Sequence, residues 1–233
     1  MKYTYIILLC LLLGCQKKEQ KESLELEILT KELNSLNYKS AEYNNKLNTN
    51  TIDKEAKTIV TYKLTNNSDK GYYFDLNPAI KTVDLKSIPI DRGFLSIFNN
   101  NGNRPKVFRS SSLVGNRDSI NMIKFELLNY NTRYYNLRSP KNFIIHPHET
   151  LFFEWFVVLP YGTRLEDNNY GIALRNDEKY FATISIHSDS TYSKKTLSRT
   201  DLKTIKENGY EIFTGVVTSK NKIAVKFIEH SNK

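Results

Sequence analysis

Residues 150–159 read Thr-Leu-Phe-Phe-Glu-Trp-Phe-Val-Val-Leu, a run that is apolar from Leu151 onward except at Glu154. Aromatic and β-branched side chains favour extended backbone because they pack well on a pleated surface. A run with apolar residues on both faces is typical of a strand that is covered on both sides. Pro160 and Gly162 follow and end the run. We therefore predict that these residues form the central strand of a sheet.

Strand patterns recur along the rest of the chain. Between 180 and 187, Tyr, Ala, Ile and Ile occupy every second position, which predicts a half-buried strand. Similar runs bounded by turn residues occupy 58–64, 72–74, 94–98, 121–129, 142–145, 210–218 and 222–229. We expect a hairpin between 94–98 and 107–108, and a second hairpin between 210–218 and 222–229 around residues 219–221.

Helical signals are few. Residues 200–209 predict one short helix, with an N-cap at Thr200 or Ser198 and Gly209 at its end. Residues 23–36 fit either a strand or a helix, a helix is the weaker alternative to a strand at 121–129, and residues 37–56 are typical of a surface loop. The chain carries 15 Tyr and 12 Phe beside a single Trp, and this aromatic content favours strands. We predict an all-β fold in residues 23–230, a single antiparallel sandwich of about nine strands with at most one or two short helices.

One stretch resembles a known class of domain. Asn66-Asn67-Ser68-Asp69-Lys70-Gly71 follows an apolar strand and precedes Tyr72-Tyr73-Phe74. This order is similar to the opening of immunoglobulin-like domains of bacterial envelope proteins, in which an Asn-Asn-Ser-type turn leads into an aromatic strand. Proline, an acidic residue, an aromatic strand and Leu-Pro then follow one another in 147–160, which is also similar to those domains. The resemblance implies an immunoglobulin-like sandwich.

The N-terminus resembles the lipobox of bacterial lipoproteins. Leu12-Leu13-Gly14-Cys15 follows Lys2 and an apolar run over residues 6–13 that is far shorter than the roughly 20 residues of a spanning helix. The resemblance implies cleavage between Gly14 and Cys15 and lipidation of Cys15. It divides the chain into a signal peptide (1–14), a lipidated cysteine with a polar tether (15–22) and the domain. Gln16 in place of Asp favours the outer membrane, so we expect a lipid-anchored protein of the cell envelope.

Cysteine and charge content limit the kinds of site and binding partner that the folded part can have. Cys10 leaves with the signal peptide and Cys15 takes the lipid, so the folded part has no thiol, disulfide or cysteine metal site. The net charge is +9, but Lys and Arg are interleaved with Asp and Glu, which is typical of a solvated surface. An envelope location favours anionic headgroups or acidic polymers as counterparts, and we expect no nucleic-acid partner.

No catalytic motif is present in the sequence. It holds no G-x-x-x-x-G-K-[ST], no G-x-G-x-x-G, no G-x-S-x-G and no H-E-x-x-H. His146, His148 and Glu149 could ligate a metal, but Pro147 indicates a turn with solvated histidines. His187-Ser188-Asp189-Ser190 holds the residue types of a hydrolase triad and is interpreted as a turn. Glu154 is more simply a paired carboxylate than a catalytic one, and we expect no catalytic residue, no metal and no cofactor.

Two aromatic clusters are candidates for binding, because exposed tyrosines beside arginines stack on sugar rings or bind peptides. The alternative is that these tyrosines belong to the core. The candidate binding surface consists of Tyr72, Tyr73, Arg133, Tyr134, Tyr135 and Arg138. We predict a non-catalytic binding module for an envelope protein or glycan; a structural or assembly subunit and an unrecognised hydrolase are the alternatives.

Overall fold

The structure, a computed structural model, describes residues 22–36, 57–76, 87–109, 142–160 and 170–228. These residues form fourteen strands and two helices: β1 (Leu24–Ile28), β2 (Glu32–Ser35), β3 (Lys57–Asn66), β4 (Gly71–Phe74), β5 (Ile88–Ile90), β6 (Gly93–Asn99), β7 (Val107–Arg109), β8 (Phe143–Ile145), β9 (Thr150–Val158), β10 (Tyr170–Ile172), β11 (Tyr180–Ser188), α1 (Ser190–Thr196), α2 (Arg199–Glu207), β12 (Tyr210–Ile212), β13 (Gly215–Thr218) and β14 (Ile223–Phe227).

Within these residues, the expected all-β fold with at most two short helices is confirmed. The described strands outnumber the nine or so predicted, because single runs divide and several strands have only three residues. Residues 23–36 are extended, not helical, and form β1 and β2, while 210–218 divides into β12 and β13. The loop predicted at 37–56 and the strand predicted at 121–129 lie outside the described residues.

The strands form three sheets and one two-stranded pair. Sheet A has the order β1-β3-β9, and sheet C has the order β12-β4-β8. Sheet B has the order β2-β14-β11-β6-β5, with β13 also pairing with β11, and β7 pairs with β10. Buried side chains of sheets A, B and C meet in one hydrophobic core, represented by Tyr62, Leu95, Ile184 and Phe74.

Pairing between the described strands is antiparallel except in two places, β2 with β14 and β12 with β4. Two isolated bridges, Leu26 with Ser219 and Ser35 with Leu159, are also parallel. The first parallel pair exists because the N-terminal segment changes sheet. The backbone N–H groups of Leu29 and Thr30 both donate to the carbonyl of Thr61, at 2.9 and 3.3 Å, and the chain then leaves β3 and joins β14. A wholly antiparallel arrangement was therefore wrong at these two pairs.

The strand predicted to be central, β9, is not the middle strand of its sheet. Within the described residues β9 pairs only with β3, and β3 occupies the middle of sheet A. Phe153, Trp155 and Val157 are buried on one face and Phe156 is buried on the other, but Phe152, on the same face as Phe156, is 70% exposed. The apolar run therefore overstated the burial of this strand, because an exposed phenylalanine and a buried one look alike in a sequence.

Both predicted hairpins were wrong. β7 pairs with β10 and not with β6, and β13 and β14 both pair with β11 and not with each other. Thr218 lies opposite Ser185 and Ile223 opposite Ala182, so residues 219–222 form a bulge against two residues of β11. Such extra residues bend a strand locally without reversing it.

The periodic strand and the predicted helix are confirmed. In β11 every second side chain from Tyr180 to Ser188 is buried. In α2, Ser198 accepts from the backbone N–H of Asp201 while the Asp201 carboxylate accepts from the N–H of Ser198, which is a capping box. Helix α1 was not predicted; its N-cap is Asp189, which accepts from the N–H of Thr191. No helix in the described ranges is long and apolar enough to cross a membrane.

Candidate binding face on sheet C

The position of sheet C is fixed by a buried asparagine. Asn66 is 1% exposed, and its Oδ1 accepts from the N–H of Ser68 at 3.0 Å and from its hydroxyl at 2.7 Å. Its Nδ2 donates to the carbonyl of Lys70 at 2.6 Å and to that of His146 at 2.9 Å. One side chain therefore closes the turn before β4 and joins it to the turn after β8.

The turn after β8 contains the three residues that the sequence suggested as metal ligands, His146, His148 and Glu149. Glu149 Oε2 accepts from the backbone N–H of His146 at 2.7 Å, and His148 has a positive φ of 59°. His148 Nε2 lies 2.9 Å from Asp69 Oδ1, and both side chains are exposed. Across the described part of the chain, no three His, Cys, Asp or Glu residues are placed to hold a metal ion together.

Strand β4 directs its two tyrosines to opposite faces of sheet C, as alternation requires. Tyr72 packs against the core, with its ring edge-on to Phe213 at 5.9 Å. Phe74 lies on the same inner side and stacks on Phe143 at 4.6 Å. Tyr73 faces outward, so the structure separates the two neighbours that the sequence grouped in one surface.

The outer side of sheet C gathers polar and aromatic groups from three strands. Ile212, Tyr73 and Ile144 are in register across the sheet, and Tyr210 is paired with Gly71. The Tyr210 hydroxyl lies 3.0 Å from His146 Nδ1. We call this surface the sheet C face and define it as Tyr73, Asn142, Ile144, His146, Tyr210 and Ile212.

A glycine allows this face to form. A Cβ at Gly71 would lie 2.6 Å from Cδ1 and 2.8 Å from Cε1 of Tyr210, so the tyrosine ring occupies the place of a side chain. The ring meets the His146 imidazole at a centroid distance of 5.5 Å. The close backbone approach thus orients both rings.

Two polar groups of the face, the Tyr73 phenol and the Asn142 amide, are hydrogen-bonded to each other. Burial raises the pKa of Tyr73; the hydrogen bond from Asn142 lowers it, and the charges of Asp75 and Asp201 raise it. Because Asn142 Nδ2 donates to the Tyr73 oxygen at 2.8 Å, the phenol keeps its own proton to donate outward. Ile144, which is 37% exposed, adds apolar area beside these donors and acceptors. The arrangement can bind a partner through stacking and hydrogen bonds.

The other sequence candidates are dispersed. Glu154 is half-buried on β9 in sheet A, opposite Thr61, and is not part of the sheet C face. The other residues predicted from the sequence lie outside the described ranges: Gly14, Cys15, Arg133, Tyr134, Tyr135 and Arg138.

One contact involves a serine that was not singled out in the sequence. Ser185 Oγ lies 2.9 Å from Nε2 of His187, two residues along β11 on the same face. Burial lowers the pKa of His187, which keeps the imidazole neutral near pH 7. A hydrolase triad also needs a group that orients the other ring nitrogen. Within the described residues that nitrogen has no hydrogen-bond partner, and Asp189 instead caps α1.

The sequence pointed to Tyr73 but missed Tyr210 and Ile144. The one local signal for the sheet C face is the two-residue spacing of Gly71 and Tyr73, which places both residues on the same side of β4. The pairing of β4 with β8 and β12 joins segments about 70 and 140 residues apart, for which the sequence carries no local signal.

In comparisons with known proteins, no family model, curated protein or solved structure matches this chain.

Proposed function

We propose that this chain is a lipid-anchored, non-catalytic binding protein of the bacterial cell envelope, held at the outer membrane through Cys15. The anchor is supported by the lipobox resemblance of residues 12–15. Two or more acyl chains on one residue give stable anchoring, whereas a single chain gives only marginal membrane binding. The anchored part is the β-rich domain of residues 23–230.

The observation that carries the binding role is the sheet C face. It places the Tyr73 phenol, the Asn142 amide and the Tyr210–His146 pair beside Ile144 on one side of a small sheet. Rigid aromatic side chains with a polar tip are enriched at binding surfaces because they offer contact area at little conformational cost. The partner class that this chemistry suits is an envelope protein or glycan.

A pair of matched substitutions tests the proposal. Ile144→Asp places a charge in the sheet C face, and Phe152→Asp places one at another exposed apolar position, on sheet A. We expect Ile144→Asp to abolish retention of a solubilised envelope protein or a defined envelope polysaccharide, with Phe152→Asp unchanged. Equal binding by both variants and the wild type would remove the sheet C face as the site.

A hydrolase is the second candidate, because the Ser185–His187 contact supplies a nucleophile and a base within hydrogen-bond distance. A panel of ester, peptide and glycoside substrates separates the two functions. Turnover that is lost in both Ser185→Ala and His187→Ala, with folding intact, would favour the hydrolase over the binding protein. We expect no such turnover.

A further inference from the structure

The polypeptide enters the domain at one fixed corner. The backbone N–H of Asn67 donates to the carbonyl of Ser23 at 2.8 Å, and its Nδ2 lies 3.2 Å from the carbonyl of Glu22. Strand β1 then begins at Leu24, which is paired with Asn66. The point at which residues 15–22 join the domain is therefore held against the turn between β3 and β4.

Sheet C lies at the same end of the molecule. The turn that holds Asn67 leads directly into β4, and Asn66 bonds it to the carbonyl of His146. Asp69 is 98% exposed at the tip of this turn and contacts His148. We call this end, with Ser23, the 66–71 turn and the 146–149 turn, the tether end.

The opposite end of the domain is reached by following β11 away from sheet C. The Ser188 hydroxyl accepts from the N–H of Asp75, just after β4, and donates to the carbonyl of Phe213, beside sheet C. Eight residues earlier Tyr180 pairs with Asn99, at the start of the 99–103 turn. At about 3.3 Å per residue this is about 26 Å along the strand. We call the end formed by residues 99–103 and 175–179 the far end.

We infer that the anchored domain stands on the bilayer, with its tether end next to the lipid headgroups and its far end directed away from them. This inference rests on the proposed function, because it needs a lipid on Cys15. Residues 16–22 can span at most about 25 Å when fully extended. They join the domain at the tether end, so that end stays within this reach of the membrane surface.

The orientation specifies where the partner must be. The sheet C face carries His146 and Tyr210 at the tether end, beside Asn66 and the 146–149 turn. Its partner therefore lies at the membrane surface, as an integral protein or a membrane-bound glycan does. A partner that approaches from outside the tether's reach would meet the far end instead.

Single-cysteine labelling measures the orientation directly. The mature chain has no free thiol, because Cys10 is removed and Cys15 is lipidated, so an introduced cysteine is the only one that takes a fluorophore. Asp69→Cys places the label at the tether end and Asn101→Cys at the far end, both at exposed positions. Lys70→Cys and Asn176→Cys repeat the comparison at a second exposed pair.

The lipidated chain is bound to phosphatidylethanolamine–phosphatidylglycerol vesicles that carry a nitroxide on some headgroups. We expect the label at 69 or 70 to lose most of its fluorescence and the label at 101 or 176 to lose little. A Gly-Ser insertion after Lys21 should weaken the quenching at 69. Equal quenching at both ends, or stronger quenching at the far end, would overturn the orientation. Failure of the wild type to float with vesicles, as expected for Cys15→Ser, would instead remove the proposed anchor.

Discussion

The side-chain amide of Asn221 pairs with the backbone of Ile28 as a neighbouring strand would. Its Oδ1 accepts from the Ile28 N–H at 2.9 Å and its Nδ2 donates to the Ile28 carbonyl at 2.8 Å, although the residues lie 193 positions apart. The backbone N–H of Lys220 also donates to the carbonyl of Leu26 at 2.9 Å. The bulge of residues 219–222 in sheet B thereby joins the edge of sheet A, which connects the two sheets.

Replacing this amide tests the connection. Asn221→Leu leaves both Ile28 backbone groups without their partner, and we expect the free energy of unfolding to fall by about 1–3 kcal/mol. Chemical denaturation measures it. Asn176→Leu, at an exposed position of the same residue type, is the control and should change stability by less than about 0.5 kcal/mol. A loss equal to the control would mean that the Asn221 amide does not stabilise the connection between the sheets.

Trp155 and Phe152, on opposite faces of β9, should differ sharply in their contribution to stability. Trp155 is 3% exposed, and Trp155→Ala should lower the free energy of unfolding by roughly 3–5 kcal/mol through the cavity that it leaves. Phe152 is 70% exposed, and Phe152→Ala should be close to neutral. Similar losses in both variants would contradict the burial of Trp155 and the exposure of Phe152.

The close contact between Gly71 and Tyr210 predicts a coupled pair of substitutions. Gly71→Ala should cost about 1–3 kcal/mol, because the added Cβ forces the Tyr210 ring to move away. In the background of Tyr210→Ala the same change should cost much less, since the ring is gone. A double-mutant cycle by denaturation gives the coupling energy, and strict additivity would argue against the contact.

Tyr62 predicts how stability changes in alkali. Burial raises the pKa of Tyr62 well above its usual value of 10.0; the charge of Asp91 raises it further and that of Arg92 lowers it. The unfolded chain therefore releases this proton first, so the stabilisation is complete below about pH 10 and is lost as pH rises above it. Tyr62→Phe removes this titration.

The same variant also removes a buried hydroxyl that has no hydrogen-bond partner within the described residues. We therefore expect Tyr62→Phe to unfold at higher pH than the wild type and to lose no more than a few tenths of a kcal/mol at pH 7. Thermal unfolding across alkaline pH measures both effects. Earlier alkaline unfolding of the variant would show that this hydroxyl is not the group that titrates.

Local sequence patterns predicted the elements whose signals lie within a few neighbouring residues. The alternation in 180–187 predicted β11 and its buried side, and an N-cap at Thr200 or Ser198 with Gly209 at the end predicted α2. Pairing could not be predicted in the same way. The chain reverses at 99–103 because Asn99 accepts from the N–H groups of Asn101 and Asn103, yet the following strand β7 pairs with β10.

The candidate site shows the same limit. Tyr73 was named from its sequence, and the period of two could have separated it from Tyr72. Its neighbours Ile144 and Ile212 become neighbours only through the register of β8 and β12 on β4. A short run of aromatic residues therefore indicates a surface, while the partners that complete the surface depend on pairing over long distances in the chain.

The mass of the N-terminal peptide of the protein purified from envelopes tests the central claim most directly. We expect the mature chain to begin at Cys15, with residues 1–14 absent and a diacylglyceryl group and an acyl group on that cysteine. The Cys15→Ser variant should remain uncleaved and carry no fatty acid. A wild-type chain that retains Met1 and a free Cys15 thiol would contradict the lipid anchor and the membrane location proposed from it.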